Sequence, residues 1–477
     1  MSDLTDRPDL FVDGRWVAPR SGRRTAVREA STGLAFGLLG LAGPEDVDEA
    51  VRAARRAIEG PWSALSRAER AAMVRAFAAA LRAAGKETSA LVSRENGMPI
   101  RLSRIVNGLA PSAIAGYYGD LAAAEEEVDL RPSPTGGRTL VQRRPVGVVA
   151  AITPWNYPQA LAVMKLAPAL AAGCTVVLKP PPETGLDAFA FADAAIAAGL
   201  PAGVVNVVPG GREEGARLVA HPGVDKVAFT GSTGAGRAIG EMAGRLLRPA
   251  TLELGGKSVS LIAEDADLDL VAARLAEISL PNNGQTCHAA TRILAPRSRY
   301  AEVVEAVSET VAALSVGDPL DPATEIGPLV SEDQQRRVES YAELAATEGR
   351  VTVGGERHVG AGWFVRPTVV VDVQRDARIA QEEVFGPVLA VLPYEDEDDA
   401  ISIANDSEFG LGGVVWSQDE ERGLRLAGRI DTGTVGVNHY ELHINAPFGG
   451  VKASGLGREL GPEGLDPYLV TRSVYLR

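Results

Sequence analysis

Val146-Gly147-Val148-Val149-Ala150-Ala151-Ile152-Thr153-Pro154-Trp155-Asn156-Tyr157-Pro158 is the stretch that decides how this chain reads. It opens as a continuous apolar run, passes through a turn bounded by prolines, and enters residues 158–171, which follow helical spacing. The same succession repeats downstream. Strand-like runs at 175–178, 204–208 and 226–229 alternate with helical stretches at 186–198, 213–220 and 235–247. Strands alternating with helices predict an α/β fold with a parallel, doubly wound sheet, and ligands bind in the loops that follow such strands.

Working outward from this core, Pro44-Glu45-Asp46-Val47 opens a helix with Val47, Val51, Ala54 and Ile58 on one face. Ser66 and Glu69 have capping-box spacing ahead of a long Ala-rich helix, and helical periodicity continues to about Ala124. Residues 125–137 are acidic, then rich in Pro and Gly, and read as a connection out of the helical layer; 139–144 alternate like an exposed strand. A second unit starts near Gly256, with strands predicted at 259–262 and 291–294 and helices at 268–280 and 298–314. Residues 317–327, dense in Asp, Pro and Gly, read as a mobile loop. Residues 468–476 alternate as an edge strand in need of a partner. There is no internal repeat, low-complexity tail or heptad pattern.

The bulk properties narrow the function classes. A chain of 477 residues is too long for one simple core, so two or three domains are expected. A net charge of -14 argues against nucleic acid or an anionic membrane as the main partner. The polar N-terminus, Met1 to Asp6, does not read as a signal peptide, and no apolar run is long enough to span a membrane. The two cysteines, Cys174 and Cys287, differ too much in context to suggest a disulfide, which fits a reducing cytoplasm. Lysines number only six, so each is more informative than the many arginines.

Four loops carry chemistry. Asn156 follows a strand and is suited either to donate to an oxyanion or to cap the next helix. Glu253, in Leu252-Glu253-Leu254-Gly255-Gly256-Lys257, is a carboxylate among apolar residues, suited to general-base work if buried or to an ion pair with Lys257. Cys287, in Asn282-Asn283-Gly284-Gln285-Thr286-Cys287, is either a nucleophile, which calls for an electropositive setting, or a small core residue. Gly231-Ser232-Thr233-Gly234 precedes a helix whose N–H groups could meet a phosphate, although the glycine spacing misses the strict dinucleotide pattern. His288, beside Cys287, would point elsewhere and reads as a bystander. His439, Glu441 and His443 have metal-like spacing in a loop setting without a further ligand cluster, so no metal site is expected.

Taken together and in order, the loops resemble those of the aldehyde dehydrogenase superfamily. The matching strings are Pro-Trp-Asn-Tyr-Pro (154–158), Leu-Lys-Pro (178–180), Phe-Thr-Gly-Ser-Thr-Gly (229–234) and Leu-Glu-Leu-Gly-Gly-Lys-Ser (252–258). Gly-Gln-Thr-Cys (284–287), Glu-Glu-Val-Phe-Gly-Pro-Val (382–388) and Pro-Phe-Gly-Gly-Val-Lys-x-Ser-Gly-x-Gly-Arg-Glu (447–459) complete the set. The resemblance implies a Rossmann-like dinucleotide-binding domain (1–124 and 145–255), an α/β catalytic domain (256–455) and a small β oligomerisation element (125–144 and 456–477) that makes a homodimer or homotetramer. It implies oxidation of an aldehyde to the acid, with Cys287 as nucleophile, Asn156 as oxyanion donor and Glu253 as base. For the cofactor it implies Trp155, Lys179, Gly231, Ser232, Gln334, Glu383 and Phe385, with Lys179 on the adenosine ribose and Glu383 on the nicotinamide ribose. Lys257 and Lys452 take structural roles.

Three departures from the family pattern stand out. Pro182 occupies the place of a Glu that repels a 2′-phosphate, so NAD is the expected cofactor with NADP as the alternative, and Arg212 could reach such a phosphate. Pro281 stands where an aromatic residue is common, which reshapes the aldehyde tunnel. The loop 439–444 would line the substrate entrance and is unusually polar. Two other activities compete: a CoA-acylating semialdehyde dehydrogenase, which does not require Glu253, and a cofactor-independent cysteine esterase, which leaves Lys179, Ser232 and Glu383 unexplained.

Overall fold

The computed structural model describes residues 5–124, 128–134, 136–356 and 360–477; the expectations placed on residues 1–4 and 125–127 lie outside them. Residues Val148–Ile152 form a strand buried along its whole length, as expected of a run flanked on both faces. It sits inside an eight-stranded sheet. Thr175–Lys179 and Val205–Val207 follow on one side, Lys226–Thr230 and Ala250–Glu253 on the other, all five parallel. The strand order reverses at Val148–Ile152, the place where open α/β sheets form a ligand crevice. Register puts Ile152 opposite Lys179 and Phe229, and Thr230 opposite Glu253. The chemistry-bearing ends of four strands therefore share one edge.

Helices Pro158–Ala172, Phe189–Ala197, Arg212–Ala220 and Thr233–Arg245 connect these strands. The expected capping box holds: Ser66 Oγ accepts the Glu69 N–H at 3.3 Å, and the Ser66 N–H donates to Glu69 Oε2 at 2.7 Å. The helix it starts, Arg67–Asn96, ends at Gly97 in a left-handed conformation (φ 80°).

A second, seven-stranded sheet begins at Val259–Ile262 and is parallel except for Arg350–Val353. It has its own apolar core, with Leu261, Leu294, Val370, Leu392 and Val415 buried. Several of its strands, notably Thr368–Val371, Val388–Tyr394 and Gly413–Trp416, were not foreseen. Two further expectations change. The stretch read as a plain connection contains a strand, Val128–Pro132, paired with Arg138–Pro145. The 317–327 loop is held in place: the Gly317 N–H donates to Ile326 O at 3.1 Å and the Ile100 N–H to Pro319 O at 2.7 Å. The C-terminal strand, Leu469–Leu476, finds its partner in Arg138–Pro145 over its full length. Among the described residues, no helix is long and apolar enough to cross a membrane.

Two buried acids lie where Arg67–Asn96 meets the loop leading into Phe189–Ala197. Asp187 Oδ2 accepts from Gln159 Nε2 at 2.5 Å and Glu95 Oε1 from the Leu186 N–H at 3.0 Å, while Asp187 Oδ1 and Glu95 Oε2 have no partner. Burial pushes Asp187 up to about 7, and burial together with the Asp187 charge raises Glu95. An acid whose folded pKa exceeds its unfolded value of about 3.9 stabilises fully below that value and loses the contribution as pH rises through its folded pKa. Asp187→Asn should therefore gain stability relative to the parent as pH rises from 4 to 7, by roughly 2–4 kcal/mol. Thermal melts across that range test this; a constant difference between the two proteins would contradict it.

Candidate active site

Cys287 is raised on a turn that its own sequence explains. Asn282 and Asn283 adopt left-handed φ values of 50° and 62° and Gly284 one of 76°, conformations that Asn and Gly tolerate best. A Cβ on Gly284 would come within 2.2 Å of Gly386 O. Side chains lock the turn. Asn283 Nδ2 donates to Gly97 O (2.9 Å) and Pro328 O (2.8 Å), its Oδ1 accepts the Gly327 N–H (2.6 Å), and Asn282 Nδ2 donates to Asn156 O (2.9 Å). Gly256 lets the strand-end loop approach, since a Cβ there would lie 2.4 Å from Cys287 O.

The thiol opens on a cavity of about 350 Å³ whose wall includes Asn156, Trp155, Ser232, Glu383 and Phe385. Its surroundings are not the electropositive ones expected of a reactive cysteine. Burial, and then the Glu383 and Glu253 carboxyls, push it above the ordinary thiol range. Cys174, by contrast, is fully buried with its Sγ 3.3 Å from Tyr468 O, and burial raises it to about 11. The adjacent His288 has a buried Nδ1 with no partner, and burial holds its pKa down at about 4.

Asn156 does not cap the helix it precedes: Tyr157 holds the N-cap position, with no side-chain cap. Instead Asn156 Nδ2 donates one hydrogen to Gln285 O at 3.0 Å, which aims the amide at the cysteine loop and leaves its second hydrogen available. Glu253 is buried, and neither carboxylate oxygen has a hydrogen-bond partner. Burial, then the nearby Glu459, raise it well above the carboxylate range. The pairing with Lys257 does not form; Lys257 is itself buried and lowered by burial to about 7.

The expected cofactor residues fall into two groups. Around the same cavity, Phe385 takes φ 63° and packs edge-on against Trp155 at 5.3 Å. Gln334 Nε2 donates to Phe385 O at 2.8 Å. Glu383 Oε1 accepts the Gly256 N–H at 3.0 Å, and burial raises that carboxyl to about 7. Gly231 has no room for a side chain beside the Phe229 ring, and Ser232 caps Thr233–Arg245 through the Ala235 N–H at 3.3 Å. Further along the sheet edge, Lys179 Nζ donates to Gly210 O (2.5 Å) and Pro180 O (3.3 Å), and burial lowers it to about 8.

Two residues of the site escaped the sequence reading. Arg337 lines the cavity and donates to Glu383 O at 2.7 Å. Lys165 Nζ, fully buried, donates to Thr230 Oγ1 (2.6 Å) and Glu459 Oε1 (2.8 Å). The signal was there for Lys165, a lone cation in an otherwise apolar helix, but its partner Glu459 lies 294 residues away. The expected loop 439–444 lines a separate cavity of about 340 Å³. There His439 lies 3.1 Å from Glu441 and 3.2 Å from Arg274.

Known proteins are similar to this chain over nearly its whole length. Residues 16–474 match the model of the aldehyde dehydrogenase family. The chain is 52% identical to a geranial dehydrogenase of Castellaniella defragrans, covering 99% of each chain, and 40% identical to the peroxisomal aminoaldehyde dehydrogenase 1 of Pisum sativum, covering 98% of this chain and 95% of that one. Among solved structures, a Mycobacterium tuberculosis aldehyde dehydrogenase complexed with NAD+ superposes with a TM-score of 0.96 at 45% identity, over 100% of this chain and 99% of that one. Family match, full-length identity and shared fold agree: the chain belongs to the aldehyde dehydrogenase family and is an aldehyde dehydrogenase.

Proposed function

We propose that the chain oxidises an aldehyde to the free carboxylic acid with NAD, through a thioester on Cys287. The observation that carries this reading is Glu253: a buried carboxyl with no hydrogen-bond partner, close enough to Cys287 for its charge to shift the thiol. A site that merely passed an acyl group to a thiol would have no use for it.

The Cys287 thiol gives its proton to solvent, and Sγ attacks the aldehyde carbon, forming the C–S bond while the carbonyl oxygen takes the electron pair. The free N–H of Asn156 Nδ2 and the Cys287 N–H hold that oxygen. NAD bound in the cavity would accept the hydride lost from the former aldehyde carbon as the C=O is restored to give the thioester, and its positive charge would offset the carboxyls around the thiol. Glu253 then takes a proton from water as the water oxygen attacks the thioester carbon. The C–S bond breaks, the acid leaves and the thiolate is restored. Lys165 and Glu459 form a fully buried pair beside this base, which keeps a charge balance that Glu253 would otherwise lack.

Trp155, Gly231, Ser232, Gln334, Glu383 and Phe385 suit the nicotinamide and pyrophosphate half of NAD, and Lys179 the adenosine ribose. The fit rests on the open cavity beside Cys287, the helix N-terminus that starts at Ser232 and a buried Lys179 held by backbone carbonyls. Glu183 and Glu214 both act on the Lys179 charge, and a 2′-phosphate would be repelled by them, which favours NAD over NADP. Incubation with an aldehyde and NAD alone should yield acid and reduced cofactor in equal amounts. Turnover that depends on CoA, or ester cleavage with no reduced cofactor from any aldehyde, would contradict the reading.

The sheet formed by Val128–Pro132, Arg138–Pro145 and Leu469–Leu476 ends on open edges among the described residues and leaves Tyr475 82% exposed. Such an edge needs cover, which supports a homodimer or homotetramer. Light scattering on the purified protein should return a multiple of the 49.9 kDa chain mass; a monomer at micromolar concentration would count against it.

A further inference from the structure

The direction of the Asn156 amide is set by its backbone, and side chains hold that backbone. Asn156 Oδ1 has no partner, and Nδ2 makes one bond, to Gln285 O at 3.0 Å. Among the described residues, no backbone-to-backbone hydrogen bond fixes Trp155 or Asn156. Two other amides do so instead. Asn96 Nδ2 donates to Asn156 O at 2.9 Å and to Trp155 O at 3.2 Å, and Asn282 Nδ2 donates to Asn156 O at 2.9 Å. Both acceptor positions of the Asn156 carbonyl are thereby filled.

Asn96 is itself held on every side. It is the last residue of Arg67–Asn96, fully buried, and the left-handed Gly97 follows it. A Cβ on Gly97 would lie 2.0 Å from Pro328 O, so the turn is packed closely. Asn96 Oδ1 accepts the Met98 N–H at 2.8 Å, which fixes the amide so that both Nδ2 hydrogens face the two carbonyls. The neighbours are tied as well. Glu95 Oε1 accepts the Leu186 N–H at 3.0 Å, and Gly97 O accepts from Asn283 Nδ2 at 2.9 Å. The second of these bonds comes from the cysteine turn. One helix end therefore grips both the loop that carries Asn156 and the loop that carries Cys287.

We propose that Asn96 is a positioning residue for the reaction: through Asn156 O and Trp155 O it holds the Asn156 amide where the aldehyde oxygen gains its charge. The inference rests on the reading of Asn156 as oxyanion donor. Asn96 takes no part in bond making or proton transfer. Its contribution is placement, and a shift of about 1 Å in such a donor slows a reaction by about 10²-fold.

Asn96→Ser tests this. The serine oxygen can still accept the Met98 N–H, but the side chain ends one bond too early to reach the two carbonyls. In the full-length protein with NAD and octanal, the first-turnover rate of cofactor reduction should fall by about 10–100-fold, with NAD affinity within about threefold of the parent. Asn156→Ala alone should slow the same step by about 10²–10³-fold. Added to Asn156→Ala, Asn96→Ser should cost less than about threefold more, because the group it holds is gone. An equal loss in both backgrounds, as a general structural role would give, overturns the proposal, and so does no loss where Asn156 is present. If Asn96→Ser fails to fold, Asn96→Ala enters the same comparison. An Asn156→Ala rate within about threefold of the parent would overturn the oxyanion reading and this inference with it, whereas failure of the parent to reduce NAD with any aldehyde would contradict the proposed function.

Discussion

Replacing Cys287 with Ala should abolish aldehyde oxidation, by roughly 10⁴-fold or more in kcat, while NAD still binds within about threefold of the parent affinity. The two halves of this expectation have separate origins. In the proposed mechanism the Sγ atom makes the only covalent bond to the substrate, and the second cysteine is fully buried with its thiol donating to Tyr468 O. The cofactor residues, by contrast, hang from other elements. Glu383 is held by the Gly256 N–H, Gln334 by Phe385 O and Lys179 by Gly210 O, and none of these contacts uses the thiol. The turn beneath Cys287 is locked by Asn282 and Asn283, so removing one sulfur leaves it intact. Fluorescence titration with NAD and steady-state turnover on the same preparation check both halves. Residual oxidation within about a hundredfold of the parent would remove Cys287 from the chemistry.

Glu253→Gln should split the reaction in time. In the proposed mechanism acylation does not need the carboxylate, so the first turnover should release close to one equivalent of reduced cofactor per chain. Hydrolysis does need it, and steady turnover should then fall by about 10²–10⁴-fold, the usual worth of a general base. The substitution is mild for the fold. It replaces a buried carboxyl with an amide of equal size, and neither oxygen has a partner to lose. The raised pKa of Glu253 adds a pH signature. With burial and Glu459 favouring the protonated acid, deacylation in the parent protein should rise with pH through the pKa of Glu253. That rise should vanish in Glu253→Gln. Equal loss of burst and steady rate would assign Glu253 a different role.

The four central parallel strands, Val148–Ile152, Thr175–Lys179, Val205–Val207 and Lys226–Thr230, were legible because each contains a largely apolar run closed by a turn, and parallel strands buried on both faces must look that way. Ala250–Glu253 was less visible: four residues, one of them charged, read more easily as a loop than as a strand lying against Gly455–Leu456 and Lys226–Thr230. Val128–Pro132 was hidden by its Pro and charged residues, which an exposed edge tolerates. In the site, the residue types were visible but not their partners. Asn156 had two readings, with helix capping ahead, until the fold placed Gln285 O, 129 positions away, within 3.0 Å. Lys165 was conspicuous as a cation in an apolar helix, yet only the fold could bring Glu459 to it. His288 was read as a bystander because adjacent residues diverge. Its ring packs against those of Tyr440 and Phe448.

The thioester on Cys287 is the centre of this account, and it can be weighed. Glu253→Gln, mixed with NAD and octanal and quenched within one turnover, should gain the mass of one octanoyl group, and digestion should place it on the peptide holding Cys287. A burst of reduced cofactor with no added mass on that peptide, or with the mass on another residue, would contradict it.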